Sequence, residues 1–212
     1  NQSSIGVYNQ NQKENVAFID FTRQLKLSRL NVPDIYAEDL NRNIYLIQDL
    51  GDNQLLSWLL LQRTTSYFPP QALEVYQEVI DHLIRFQVIA GRNFDYSSCH
   101  QHSEFKRESI LFDLNYFKTN FVDVQDLRYN SEKLISEFEL FTSYLLTAES
   151  KYFMFRDFQA RNIMLFENEP YFIDYQGGRK GPLQYDLVSL LFQAKAQIPE
   201  QIKDQLLHYY MK

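Results

Sequence analysis

Residues 153–178 read FMFRDFQARNIMLFENEPYFIDYQGG, and the rest of the chain is best understood outward from them. Asp157 follows Arg156, and Asn162 follows Asp157 after four intervening residues. Two apolar runs, 163–166 and 171–173, flank the polar stretch Glu167-Asn168-Glu169-Pro170, which predicts a hairpin. Asp174 closes the second run, just ahead of Gly177-Gly178. A carboxylate at the end of a buried strand is costly unless it is paired or metal-bound. Phosphoryl transfer needs such a set: one carboxylate to orient a hydroxyl, with an Asn and a second carboxylate to hold magnesium. The spacing from Asp157 to Asn162 is weak by itself. Its competing reading is a turn Asp, a capping Asn and a strand-end Asp bound to Arg156. The order of all three, after a mixed lobe and a helical run, favours phosphotransfer.

Upstream, residues 3–8 (SSIGVY) predict a strand and residues 9–13 a polar turn. From Glu14, the residues Ala17, Phe18, Phe21 and Leu25 recur at helical spacing up to about Leu30. Asn31-Val32-Pro33 stops that helix. Residues 35–37 and 44–48 predict a strand pair, and 49–52 a turn. Helices are expected over 54–62, 71–89, 104–122 and 131–147. The second should bury Leu73, Tyr76, Ile80, Leu83, Ile84 and Val88. The third should bury Ile110, Leu111, Leu114, Phe117 and Phe121. Gly91 to Ser103 reads as a loop. Downstream, Gly177-Gly178 and Gly181-Pro182 mark a loop before helices over 185–194 and 199–210. The expected organisation is α+β: a small mixed lobe (1–48), a hinge (49–52) and a larger helical lobe (53–212).

Hydrophobic residues make up 45% of the 212 and aromatics 16%, enough for a sizeable core. The net charge of -6 argues against a nucleic-acid partner, which would want a basic face. Cys99 is the single cysteine, so a reducing, cytoplasmic setting is expected. No apolar run approaches the ~18 residues of a membrane span, and no membrane partner is expected. The chain opens at Asn1 inside a strand, so the small lobe is expected to be partly missing. Cys99, His100 and His102 fall short of zinc-site spacing and read as a surface loop. His82 and His208 sit singly on helices and read as ordinary.

FRDFQARNIM, then YFIDYQGG, then GPLQYDLVSLL together resemble the aminoglycoside phosphotransferase and choline kinase-like branch of the protein-kinase fold. Within it, the likeness is to bacterial kinases of amino sugars such as N-acetylmuramate. Weaker likeness runs through ENVAFIDFTRQL, NVPDIYAED and IYLIQDLGD. The resemblance implies a two-lobed kinase-like fold, ATP and Mg2+ as cofactors, and a small-molecule acceptor, a sugar or amino sugar. It implies that Asp157 is the catalytic base and that Asn162 and Asp174 are magnesium ligands. Gln48, Asp49 and Leu50 match the hinge that meets a nucleotide base. Glu14 lies near the helix glutamate that pairs with a phosphate-binding lysine. Asp186 matches a buried Asp bracing the catalytic loop, and Asp113 and Tyr116 lie where relatives bind the acceptor, though Asp113 reads equally well as a solvated helical Asp.

Several residues keep two readings. Arg156 neutralises a phosphate or, as favoured here, pairs with an internal carboxylate as structural support. Arg161 is undecided between the same two. Gln159 and Gln176 contact sugar hydroxyls or satisfy loop backbone. The kinase lysine has no counterpart in residues 3–8, and the sequence starts too late to show the Gly-rich loop expected ahead of them. That gap motivates an alternative, a nucleotide-binding regulatory module with little turnover. An aminoglycoside or choline-type kinase is a further alternative. A protein kinase is disfavoured, because GPLQYDL follows Asp174 too soon for a long activation segment. The oligomeric state is not legible.

Overall fold

The computed structural model describes residues 3–63, 68–125 and 127–212. Ser4–Tyr8 (β1), Ile35–Asp39 (β2) and Ile44–Gln48 (β3) form an antiparallel sheet with β3 in the centre. Between β1 and β2 runs helix α1, Gln12–Leu27. It begins two residues earlier than the apolar spacing predicts, because Asn11 caps it by accepting the Glu14 N–H at 3.3 Å. Ala17, Phe18, Phe21 and Leu25 are all buried, as the helical spacing requires.

Leu55–Gln62 (α2) and Pro70–Ile84 (α3) follow. Pro70 supplies the fixed φ suited to the first helical position, so the proline pair opens α3. The expected helix over 71–89 does not continue regularly. At Arg85–Ile89 it widens into a π-turn, then tightens over Ala90–Asn93. The wider turn changes which side faces inward: Phe86 and Gln87 are buried, while Val88, expected inside, is 40% exposed.

The helix expected from residue 104 begins later, as α4, Arg107–Phe117. Residues ahead of it are extended instead, with Phe105 N donating to Lys180 O at 2.7 Å and Lys180 N to Ser103 O at 2.9 Å. Ile110 is buried, but Phe117 and Phe121, expected inside, are about half exposed. Helix α5, Ser131–Leu145, is capped by Asn130, whose side chain accepts from Lys133 N.

Tyr152–Met154 (β4) pairs antiparallel with Arg179–Gly181 (β7), a pairing in a region expected to be loop. Ile163–Phe166 (β5) and Glu169–Phe172 (β6) form the predicted hairpin. Its turn is tight, with Glu167 and Asn168 at φ 52° and 67°, and Pro170 lies within β6. Helices α6, Leu183–Leu191, and α7, Glu200–Tyr210, complete the chain.

The core is rich in phenylalanine. Phe86 lies edge-on to Phe155, Phe158 and Phe172 at 5.0–6.4 Å between centroids. Phe158 stacks on Phe172 at 5.4 Å. One continuous apolar cluster runs from Phe18 and Leu25 of α1 to Leu190 of α6 and Leu206 of α7. Residues 49–52 therefore mark a change of architecture without interrupting the core. No helix among the described residues is long and apolar enough to cross a membrane.

Candidate active site

The turn carrying Asp157 is held from below. Asp186, in the first turn of α6, is fully buried. Its carboxylate accepts the backbone N–H of Phe155 and of Arg156, each at 2.8 Å. Burial pushes the Asp186 carboxyl up to about 7, against the pull of those two donors. Arg156 has φ 82°, a left-handed conformation that costs an L-residue of order 1–3 kcal/mol. Its guanidinium bonds Asp113 Oδ1 at 2.9 Å and Gln101 Oε1 at 2.8 Å. The internal pairing of Arg156 is thus present in the structure.

Asp157 and Asp174 are joined through Asn162. Asn162 is 8% exposed, and its Nδ2 donates to the Asp157 carbonyl at 2.9 Å and to Asp174 Oδ2 at 3.1 Å. Ile173 N returns a bond to Asn162 O at 3.0 Å, tying the two ends of the hairpin. Asp174 has φ 69°, which turns its side chain back towards Asn162. Burial raises the Asp174 carboxyl, the Asp157 charge adds to the rise, and Gln176, Arg161 and Asn162 oppose it. No ion pair to Asp157 or Asp174 forms among the described residues. The Asp174 carboxylate, without an ion pair, and the Asn162 amide oxygen form a hard oxygen donor pair that fits Mg2+.

Gln176 braces two carboxylates, a contact that neither of its two readings gave. Its Nε2 donates to Asp174 Oδ1 at 2.9 Å and to Glu14 Oε1 at 3.3 Å. Glu14, Gln176, Asn162 and Asp174 line a cavity of about 310 Å³ with Phe18, Tyr45 and Ile47. A second cavity, about 700 Å³, shares Asn162 and Asp174 and adds Gln159, Arg161 and Lys195. Lys195 was not singled out in the sequence, because it lies in a short turn about twenty residues past the metal-type pair with no motif around it.

Among the described residues, Gln48, Asp49 and Leu50 line neither cavity. Gln48 pairs with Asp34 through backbone and side chain, Asp49 caps the Gly51 N–H, and Leu50 is buried. Tyr116 is 64% exposed on α4 and lines neither cavity. Asp113 and Gln159 both line a groove of about 900 Å³ between α4, α5 and α6. Phe105, Phe141, Tyr144, Tyr185 and Phe192 give that groove aromatic walls. The loop holding Cys99 and His100 is half-buried rather than superficial. Cys99 Sγ reaches Gly178 O at 3.4 Å, and His100 Nδ1 lies 3.0 Å from Gln176 O.

Sequence and structure comparisons assign a family and a fold. Residues 8–211 match the phosphotransferase enzyme family, so the chain belongs to that family. It is 28% identical over 196 residues to an N-acetylmuramate/N-acetylglucosamine kinase of Neisseria meningitidis, covering 89% of this chain and 55% of that protein. The corresponding kinase of Pseudomonas aeruginosa is also 28% identical over 196 residues, covering 92% and 54%. The chain thus spans about half the length of these relatives. Among solved structures, the gentamicin complex of the aminoglycoside phosphotransferase APH(2")-IIa superposes with a TM-score of 0.71 at 13% identity, covering 98% of this chain and 70% of that one. Choline kinase LicA of Streptococcus pneumoniae superposes with a TM-score of 0.54 at 12% identity, covering 99% and 68%. The fold is the α+β, protein-kinase-like one.

Proposed function

We propose that this chain transfers the γ-phosphoryl group of ATP to a hydroxyl of a small amino sugar. The observation that carries the reading is the Asn162 amide joining the Asp157 backbone to the Asp174 carboxylate, on a turn pinned by Asp186. Asn162 and Asp174 would hold Mg2+, which when bound offsets negative charge on the nucleotide phosphates. Asp157 orients the acceptor hydroxyl and accepts its proton. Arg161 and Lys195, which line the cavity beside the metal-type pair, supply positive charge to phosphate oxygens. They take up part of the task for which residues 3–8 offer no lysine. Arg156 and Asp186 act through the turn by holding Asp157 in place.

The 900 Å³ groove supports the acceptor class. Aromatic walls suit the C–H faces of a pyranose ring, with a few polar groups to fix its orientation. Asp113 is the groove's carboxylate among the described lining residues, and Arg156 already neutralises it. A polycation such as an aminoglycoside therefore finds no free anionic wall, whereas a neutral N-acetylated sugar needs none. The kinases of Neisseria meningitidis and Pseudomonas aeruginosa named above bear N-acetylmuramate and N-acetylglucosamine in their names. We extend the small-lobe, hinge and helical-lobe division (1–48, 49–52, 53–212) to this reading, with the nucleotide between the sheet and Asp174.

A second reading, a nucleotide-binding module with little turnover, rests on Glu14. Its side chain bonds Asn11 and Gln176 and has no cationic partner among the described residues. ATP consumption with N-acetylmuramate, N-acetylglucosamine, an aminoglycoside and choline separates the two. Turnover on an amino sugar that disappears in Asp157→Ala supports the kinase. Magnesium-dependent ATP binding without consumption on any acceptor supports the module.

A further inference from the structure

Away from Asp157, helix α3 meets the β5–β6 hairpin at three donor-bearing side chains. Glu78 and His82 are four residues apart on α3 and so share a face, and Glu169 opens β6. One donor atom from each of the three lies within 4.8 Å of the others. His82 is 7% exposed, with its ring 5.2 Å from that of Phe172. Its Nδ1 is buried and has no hydrogen-bond partner, a state that costs about 1–3 kcal/mol when left uncompensated.

The surroundings of the two carboxylates point the same way. Burial raises the Glu78 carboxyl, and the negative charges of Glu169 and Asp81 raise it further. Neither Glu78 nor Glu169 forms an ion pair among the described residues. Glu169 takes one long bond, 3.5 Å, from the neutral amide of Asn31. Burial also keeps the imidazole neutral down to about pH 4, the form in which it ligates metals.

We propose that Glu78, His82 and Glu169 bind a divalent cation of the zinc class, at a site separate from Asn162 and Asp174. One imidazole nitrogen with two carboxylates is a donor set that zinc accepts, whereas magnesium and calcium prefer oxygen alone. Zinc bonds of about 2.0–2.1 Å in a tetrahedron place donors roughly 3.4 Å apart. The side chains must therefore close by little more than an ångström, and the exposed Glu169 is free to rotate. Three protein donors leave a fourth position for water. The bound cation would tie α3 to β6, the strand that leads into Ile173 and Asp174.

The test is ZnCl2 titration of chelator-stripped chain by calorimetry, on wild type and on Asp174→Asn, which removes a ligand from the other metal-type pair. One equivalent bound at micromolar Kd in both proteins is expected, with a raised Tm. Glu78→Gln and Glu169→Gln should each weaken binding at least tenfold, while Cys99→Ser should not. A Co2+ titration adds a second readout: visible absorbance of a tetrahedral site in wild type, lost in Glu169→Gln, whose exposed position leaves folding intact. Absence of saturable zinc binding, or affinity unchanged in both glutamate variants, overturns the proposal.

Discussion

Asp186 Oδ1 and the backbone N–H of Arg156 lie 2.8 Å apart, and the same carboxylate takes the Phe155 N–H through Oδ2 at 2.8 Å. The turn ahead of Asp157 is therefore anchored by one buried side chain on α6. Asp186→Ala leaves two buried donors unsatisfied, at about 1–3 kcal/mol each. Asp186→Asn restores one acceptor and turns an N–H towards the other donor. Thermal unfolding should rank the three proteins wild type, then Asn, then Ala, with turnover falling in the same order. An Asp186→Ala protein as stable as wild type would show that the anchor contributes nothing.

Loss of Asp157 should separate binding from chemistry. A group that takes the acceptor proton contributes about 10²–10⁴-fold to turnover, so Asp157→Ala should lower kcat by that order. ATP affinity should move little, because the carboxylate acts on the acceptor. Steady-state kinetics beside calorimetric ATP binding decides the matter, and an equal loss in both would assign Asp157 to nucleotide binding.

Asp174→Asn should do the reverse. An amide cannot supply the charge that Mg2+ wants, and Gln176 Nε2 and Asn162 Nδ2 would then face a weaker acceptor. The magnesium-dependent part of ATP binding should disappear, while any magnesium-independent part persists. ATP titrations with and without Mg2+ measure both parts.

Buried His82 should make stability depend on acidity. Its pKa is lowered to about 4 from 6.5, by burial first and then by the Arg85 charge. Between those values the unfolded chain binds a proton that the folded chain does not. Stability therefore rises with pH across that window, falls as pH drops from about 6.5 to about 4, and is flat above. The effect is at most about 3 kcal/mol. In chelator, urea unfolding of wild type and His82→Gln across this window should show the slope removed in the variant.

Two glycines pack against one residue, Phe153. A Cβ at Gly91 would meet Phe153 N at 2.6 Å, and one at Gly178 would meet Phe153 Cζ at 2.7 Å and Tyr175 O at 2.9 Å. Gly91→Ala collides with backbone and should cost about 1–3 kcal/mol. Gly178→Ala, which strikes a ring edge and a carbonyl, should fall in the same range. Denaturant midpoints would register both, and an unchanged midpoint for Gly91→Ala would contradict the close packing.

The parts of the fold that could be read from sequence are those with a strong local period. Phe18, Phe21 and Leu25 mark α1, and the runs around Glu167-Asn168 mark the hairpin. Strands β4 and β7 lack such a signal. Each is three residues long, and Arg179-Lys180-Gly181 has no β-favouring residue, so pairing with Tyr152–Met154 is decided by tertiary contact. The π-turn at Arg85–Ile89 likewise follows from packing: Gln87 turns inward to bond Leu183 O and Tyr210. The trio Asp157, Asn162 and Asp174 was legible because it lies close in sequence on a recognisable hairpin. Lys195 and the Gln176–Glu14 contact span distant segments, and no spacing rule connects them.

Arg156 at φ 82° and Asp174 at φ 69° both occupy backbone that glycine would adopt without strain. Glycine there would relax the chain while deleting the guanidinium that meets Asp113 or the carboxylate that meets Asn162. Melting temperature alone would thus set backbone ease at 156 and 174 against the bonds of their side chains, and would not report on the proposed site. Improving this protein's durability calls for a paired readout, in which heat resistance counts only when the proposed phosphate transfer is measured beside it.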